Sequence, residues 1–408
     1  MELKSRTTLS ALLAVAITVF IVIFPEPSFK AALNGLKIWW EIVFPALLPF
    51  FIMAELLMGL GVVPFMGTLL EPLMQPLFKV PGVGAFAMAM GLASGYPIGA
   101  KITGNLRRKE LCSRVEGERL VSFTNTADPL FMVGAVAVGM FGNPRLGIVL
   151  ALAHYISTLI VGVVLRFYRG GEEQEKFVKE KNNQGIFRLA FANMMSARKE
   201  DGRAFGELIG NAITDSINTL LLIGGFIMLF SVITQVISSL GLLSFLATVL
   251  GAPLHFFKIS PEILCPFVSG FFEITNGTEA ASRIAAPLLQ QAMAASAIIA
   301  WSGLSVHAQV ATMLNGTDLR LKPYIWARAL HAVLAAAVTY PLMLLMTIET
   351  QETISLLVPW QNLSYMGFLD RIILSGRNLL VILALLLSVS LLIYLLEKIK
   401  VVIFFFRE

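Results

Sequence analysis

Charge is scarce in this chain. Only 14% of its 408 residues are charged and 57% are hydrophobic, whereas a soluble domain carries about one quarter charged residues. Such a chain cannot clothe an ordinary soluble surface. Strands of about ten residues with alternating polarity are missing too, which excludes an outer-membrane type of barrel. There are two cysteines, Cys112 in a basic loop and Cys265 in an apolar segment, and they form neither a disulfide framework nor a metal pattern. The four histidines, His154, His255, His307 and His331, lie too far apart in sequence to suggest a metal pair. No H-E-x-x-H, G-x-S-x-G or Walker phosphate loop occurs, so no enzyme is expected. The net charge of +5 is not spread as a basic face interleaved with aromatics, so no nucleic-acid partner is expected either.

What is present is a series of apolar runs of roughly twenty residues, the length at which an α-helix crosses hydrocarbon. The fold class is therefore all-α: a polytopic membrane protein whose main partner is the lipid bilayer. Thr7 to Phe24 lacks a small-residue cleavage site and runs into Pro25-Glu26-Pro27, which marks an uncleaved first span rather than a signal peptide. Lys and Arg gather beside the apolar runs in three places and should keep these in the cytoplasm. They are Lys4 and Arg6; Lys101, Arg107, Arg108, Lys109, Arg114 and Arg119; and the polar stretch Arg166 to Arg203 with Lys176, Lys179, Lys181, Arg188, Arg198 and Lys199.

Two short, glycine-broken apolar segments, Gly84 to Gly99 and Pro261 to Gly277, are each followed by an interrupted apolar run. Leu120 to Met140 breaks at Asn125-Thr126-Ala127-Asp128-Pro129, and Gln291 to Leu314 breaks around Ser302-Gly303. The second half repeats the first with a shift of roughly 178 residues. Basic residues follow the first short segment in number, but Arg283 stands alone after the second, and Arg320, Lys322 and Arg328 after the second broken run return to the cytoplasm, so the repeats are inverted. About eight spans and two re-entrant hairpins are expected. The boundaries are 1–38 for an N-terminal span and connector, and 39–168 for the first repeat, with its hairpin at about 84–100 and broken helix at about 120–140. A cytoplasmic polar loop, 169–208, precedes the second repeat, 209–348, whose hairpin lies at about 261–280 and broken helix at about 291–314. An external segment and C-terminal span, 349–408, follow, with the span from about Arg377 to Leu396.

Backbone that leaves the helix at membrane depth must be buried in protein or line a cavity. The four breaks are expected to meet, offering free N–H groups at half-helix starts and free carbonyls at half-helix ends. Glu273 and Asp128 stand out, because an ionisable group inside a span marks a pathway, a relay or an ion pair. Asp128 before Pro129 also suits a helix-starting cap. Asn125 and Asn276 suit substrate ligation or repair of the broken backbone. His307 suits a protonation switch or simple packing, and Tyr96 a stacking platform or packing. Lys101 and Arg283 follow the hairpins at similar offsets and would attract an anion; Lys101 is also explained by the positive-inside bias.

Four stretches carry a resemblance: Phe44-Pro45-Ala46-Leu47-Leu48-Pro49-Phe50, Gly91 to Lys101, Phe123-Thr124-Asn125-Thr126-Ala127-Asp128-Pro129 and Gly270 to Gly277. Together they resemble the YlbJ-type sporulation integral membrane proteins, over most of the chain. That family contains a nucleoside-recognition, or gate, domain and is distantly similar to concentrative nucleoside transporters. The resemblance implies a role in spore formation: movement of dipicolinic acid, a small aromatic dianion, across the mother-cell-derived outer forespore membrane. By position it implies substrate contacts at Ser94, Gly95, Tyr96, Asn125, Thr126, Glu273, Thr275, Asn276, Ser302 and Ser305, and a sodium site near Ser94, Asn125 and Thr126. The first hairpin lacks the Gln-Thr-Glu cluster that reads a nucleobase in those transporters, which points from a nucleoside to an anion. No cofactor is expected, sodium or proton coupling is compatible, and a homo-oligomer is implied by analogy. A nucleoside carrier and a non-transporting sporulation scaffold are the alternatives.

Overall fold

The computed structural model describes residues 2–169, 186–242, 245, 249, 261–348 and 376–377. Much of the polar loop, the connector after Leu243 and the C-terminal span lie outside these residues. All regular structure among the described residues is helical.

Helix α1 (Glu2–Ile23) is followed at once by α2 (Pro25–Ile38), and the chain turns through 105° between them. Proline suits that start, since the first N–H of a helix has no partner to lose. A π-helical turn, Trp39–Val43, leads into α3 (Phe44–Gly59), and the Trp39 indole Nε1 donates to the carbonyl of Leu220 at 2.9 Å. The chain then bends by 84° into α4 (Val62–Phe78). Next come α5 (Gly84–Ser94) and α6 (Ile98–Arg108), two arms of a hairpin whose tip is Gly95-Tyr96-Pro97. Helix α7 (Arg114–Thr124) starts on a capping box in which Ser113 and Glu116 exchange hydrogen bonds, and ends at Asn125. After the extended stretch to Asp128 the run resumes as a π-helix, Leu130–Met140, and α8 (Pro144–Leu165) completes the first half.

The second half has the same order. Following α9 (Ile186–Asp201), which packs on α4, comes α10 (Phe205–Ser239). A hairpin is built from α11 (Leu264–Phe272) and α12 (Ile274–Arg283), with Glu273 as its tip. The broken run is α13 (Leu288–Trp301) and α14 (Gly303–Met313), and α15 (Leu321–Ile348) follows. Among the described residues four helices are long and apolar enough to cross a membrane, or up to six if each bent pair is one span.

Two boundaries differ from expectation. The return arm of the first hairpin runs on to Arg108, so Lys101, Arg107 and Arg108 ride on a helix instead of a loop. The first broken helix begins at Arg114, which puts Arg119 inside it, where it is buried and donates to the carbonyls of Lys79 and Tyr168. Charge counting alone cannot tell a loop cation from one that a helix turns inward.

At the centre α15 packs against α13 and α8, joining the two halves. Thr339 donates to Ser296 across that contact at 2.6 Å, and the rings of His154 and His331 meet tilted, with centroids 4.5 Å apart. These histidines are separated by 177 residues, so their contact ties α8 of the first half to α15 of the second.

Candidate functional site

The first hairpin closes on the first break. Thr126 Oγ1 donates to the carbonyl of Gly91 at 2.9 Å, and the Thr124 carbonyl oxygen lies so close to Gly91 that any Cβ there would collide with it. Ala127 N donates to His154 Nε2 at 3.0 Å, which satisfies an amide freed by the break. The Asp128 carboxylate accepts from Phe131 N at 2.8 Å, so it acts as the start cap of the π-helix. A cavity of about 160 Å³ opens beside this joint, lined by Leu47, Phe50, Ser94 and Asp128.

The second hairpin closes on the second break in the same way. Glu273 is extended between two helices, and its carboxylate accepts from Asn276 N at 2.8 Å. Among the described residues it makes no ion pair; its partners are backbone and Thr275. Ser302 and Gly303 both take left-handed backbone, with φ of 72° and 78°. At Gly303 an added Cβ would lie 3.0 Å from Glu273 Cα and 3.0 Å from Ile274 N, so glycine is needed there for both space and conformation. A larger cavity, about 630 Å³, reaches this hairpin between α2 and α10 and is lined by Ser269, Asn276, Thr234, Gln235, Lys30 and Asn34, among others.

The two joints meet through α15. Asn125 Nδ2 donates to the Tyr324 hydroxyl at 3.0 Å, Tyr96 OH donates to the Ile299 carbonyl at 3.1 Å, and Ser302 sits beside both tyrosine hydroxyls. Arg328 is fully buried; it donates to the Asn125 carbonyl at 2.9 Å and the Ser122 carbonyl at 2.6 Å. His307 Nδ1 pairs with the Gly303 carbonyl at 2.7 Å, and its ring packs between Trp301 and Tyr324. At this junction Ser94 Oγ, Asn125 Oδ1, His307 Nε2 and Arg328 Nε are buried with no hydrogen-bond partner among the described residues.

Thus Tyr96, Asn125, Ser302 and His307 come together at one junction, and Ser305 is buried one turn along α14. Ser94 and Gly95 at the first tip lie against Thr126 and Asp128 of the first break; Glu273, Thr275 and Asn276 form the second tip. Two positions fall elsewhere. Arg283 is exposed at the end of α12 and pairs with Glu279 one turn back. Lys101 lies in the hairpin arm, 2.7 Å from Glu55 and 3.2 Å from the Thr219 hydroxyl. Sequence reasoning missed Arg328, Tyr324, His154 and His331. The 177-residue spacing was a usable signal for the histidines; Arg328 read as one more cytoplasmic marker.

Two ion pairs close the side that holds the basic clusters. Arg107 meets Asp318 at 2.8 Å, and Arg320 meets Glu118 at 2.7 Å. The Arg107 hydrogen bonds hold the Asp318 carboxyl below the usual carboxylate range. Stability from this pair is therefore complete above the unfolded Asp pKa of about 3.9 and is lost as pH falls through the lower folded value. The half-exposed carboxylate is screened, so the effect should stay under about 1 kcal/mol. Asp318→Asn should lower Tm slightly and equally from about pH 5 to 8, with the gap to wild type closing as pH falls below the unfolded Asp pKa of about 3.9 and through the lower folded one.

A family model described as "Gate: Nucleoside recognition" matches residues 40–164, the stretch that carries the first hairpin, the first break and His154. The sporulation integral membrane protein YlbJ of Bacillus subtilis (strain 168) is 47% identical over 333 residues, 82% of this chain and 82% of that relative. The chain belongs to the YlbJ family. It is an integral membrane protein of a sporulation family, with a nucleoside-recognition gate domain in its first half. No solved structure matches this YlbJ-family chain.

Proposed function

We propose that this YlbJ-family protein is a secondary transporter that carries a small aromatic dicarboxylate, dipicolinic acid above all, across the outer forespore membrane by alternating access. The observation that supports it most is the junction itself. Two hairpin tips and two interrupted helices converge where Tyr96, Asn125, Ser302 and Tyr324 bond across the two halves of the chain. Broken helices at membrane depth are stable only where protein or a cavity satisfies them, and they recur at the binding sites of carriers. The junction also holds the buried positive charge of Arg328, with no carboxylate in ion-pair contact among the described residues. That charge favours an anionic cargo over a neutral one.

A nucleoside carrier is the second reading, favoured by the description of the matching gate model. Purified protein in liposomes separates the two by uptake of labelled dipicolinate against labelled nucleosides. Dipicolinate should enter faster than in empty vesicles, and Asn125→Ala should lower the rate at least about tenfold, the loss of one well-made bond in the transition between states. Uptake equal to that of empty vesicles for both cargoes would sink the transporter reading. Uptake unchanged in Asn125→Ala and Glu273→Ala would move the site elsewhere.

A further inference from the structure

Among the described residues the carboxyl end of α7 is the clearest cation site. A helix that stops in the interior leaves carbonyls without intrahelical partners and the negative end of its dipole unscreened. Here Ser122, Thr124 and Asn125 present such oxygens. The Thr124 oxygen is wedged against the first hairpin at Gly91 and Gly99. The other two are held by the Arg328 guanidinium, at 2.6 Å from Ser122 and 2.9 Å from Asn125. The same guanidinium lies 3.4 Å from the Tyr96 hydroxyl and over the Tyr324 ring, 5.6 Å from its centroid. Its side chain is fully buried, and among the described residues no carboxylate pairs with it. Its charge is therefore solvated, though not cancelled, by carbonyl and hydroxyl dipoles, the kind of oxygen set that would otherwise receive a bare monovalent cation.

We propose that Arg328 is the resident cation of the first broken helix: a guanidinium supplied by the chain fills the place of a bound alkali ion, so the transport cycle takes up no sodium there. The oxygens near Ser94, Asn125 and Thr126 are then poorly suited to sodium, because the Asn125 carbonyl is already engaged and a second positive charge beside Arg328 would be repelled. Residue placement follows from packing, since α15 crosses α7 and delivers position 328 to the end of the half-helix. The consequence for coupling rests on the transporter reading; the occupancy of the site does not.

The test uses the full-length protein in detergent and has two arms. Wild type is heated in sodium chloride and in choline chloride at equal ionic strength, and its Tm should be the same in both. Arg328→Ala should lose roughly 5 °C or more, and millimolar methylguanidinium or sodium should restore a good part of that loss while choline does not. Sodium-specific stabilisation of wild type would overturn the proposal, as would an Arg328→Ala protein that folds and responds to no cation. If Arg328→Ala yields no folded protein, Arg328→Lys replaces it: lysine keeps the charge but cannot bridge both carbonyls, so added sodium should leave its Tm unchanged, and a rise with sodium would count against the idea. Liposomes then read the coupling: uptake by wild type should be equal with and without a sodium gradient. Liposomes that take up nothing would defeat the transport reading and leave the stability result to decide the role of Arg328.

Discussion

Gly91→Val should leave little folded protein to extract from a membrane. The Thr124 carbonyl oxygen already sits against the Gly91 backbone, inside the space any Cβ would need. Relief would require the oxygen to move, but the carbonyls of Asn125 just after it and Ser122 two residues before it are tied to Arg328. On the other side the Gly91 carbonyl accepts from Thr126, so the hairpin arm cannot back away without losing that bond. Overpacking in a core costs about 1–3 kcal/mol where neighbours can shift; against pinned backbone about 4 kcal/mol or more is expected, a large share of the stability of any domain. Gly225→Ala is the control. It lies inside α10, and an added Cβ there meets no described atom within 4 Å, so it should be neutral to slightly stabilising. Monodisperse yield from size-exclusion chromatography distinguishes them; equal yields would show that the hairpin does not press on the broken helix as described.

The breaks were legible in the sequence because each is made of residues that leave a helix for a local reason. Gly95 is left-handed, Asp128 caps the run that follows it, Glu273 caps α12, and Ser302-Gly303 reverse the backbone twice. Helix starts were less legible, although Ser113-Arg114-Val115-Glu116 carried a capping-box spacing that would have moved the start of the first broken helix back to Arg114. The inward cations were the real loss. Lys101, Arg119 and Arg328 were counted as markers of sidedness, and nothing in composition distinguishes a cation that faces water from one whose donors are used inside the protein. Asp128 and Glu273 show the converse. Their position inside apolar runs drew attention, and the structure gives each a capping bond, so any role with cargo is added to a structural one.

Arg320→Ala should weaken the closure between the two halves more than any other single change on that surface. Glu118 has no exposed side-chain surface. It accepts from Arg320 Nε at 2.7 Å, Arg320 Nη2 at 3.0 Å, the Arg320 backbone N at 3.2 Å and the Tyr168 hydroxyl at 2.9 Å. This clasp ties α7, just before the first break, to the segment that leads into α15. Removing the guanidinium strands a buried carboxylate, a change that costs about 3–5 kcal/mol in comparable sites. The retained Tyr168 and backbone bonds place it at the lower end. Adding Glu118→Gln should recover much of the loss, because the stranded charge and not the missing contact carries most of the penalty. Cys112 gives the readout. It is buried in the loop between α6 and α7, in no disulfide, and its carbonyl accepts from Arg107 at 2.8 Å within the same closed surface. With Cys265 replaced by serine, maleimide labelling of Cys112 should quicken about 100-fold in Arg320→Ala, as a loss near 3 kcal/mol requires at about 1.4 kcal/mol per tenfold. The double variant should label much more slowly than Arg320→Ala. If both variants label as slowly as wild type, the clasp does not hold this side closed, and the halves must be joined chiefly through α15 and the junction at Arg328.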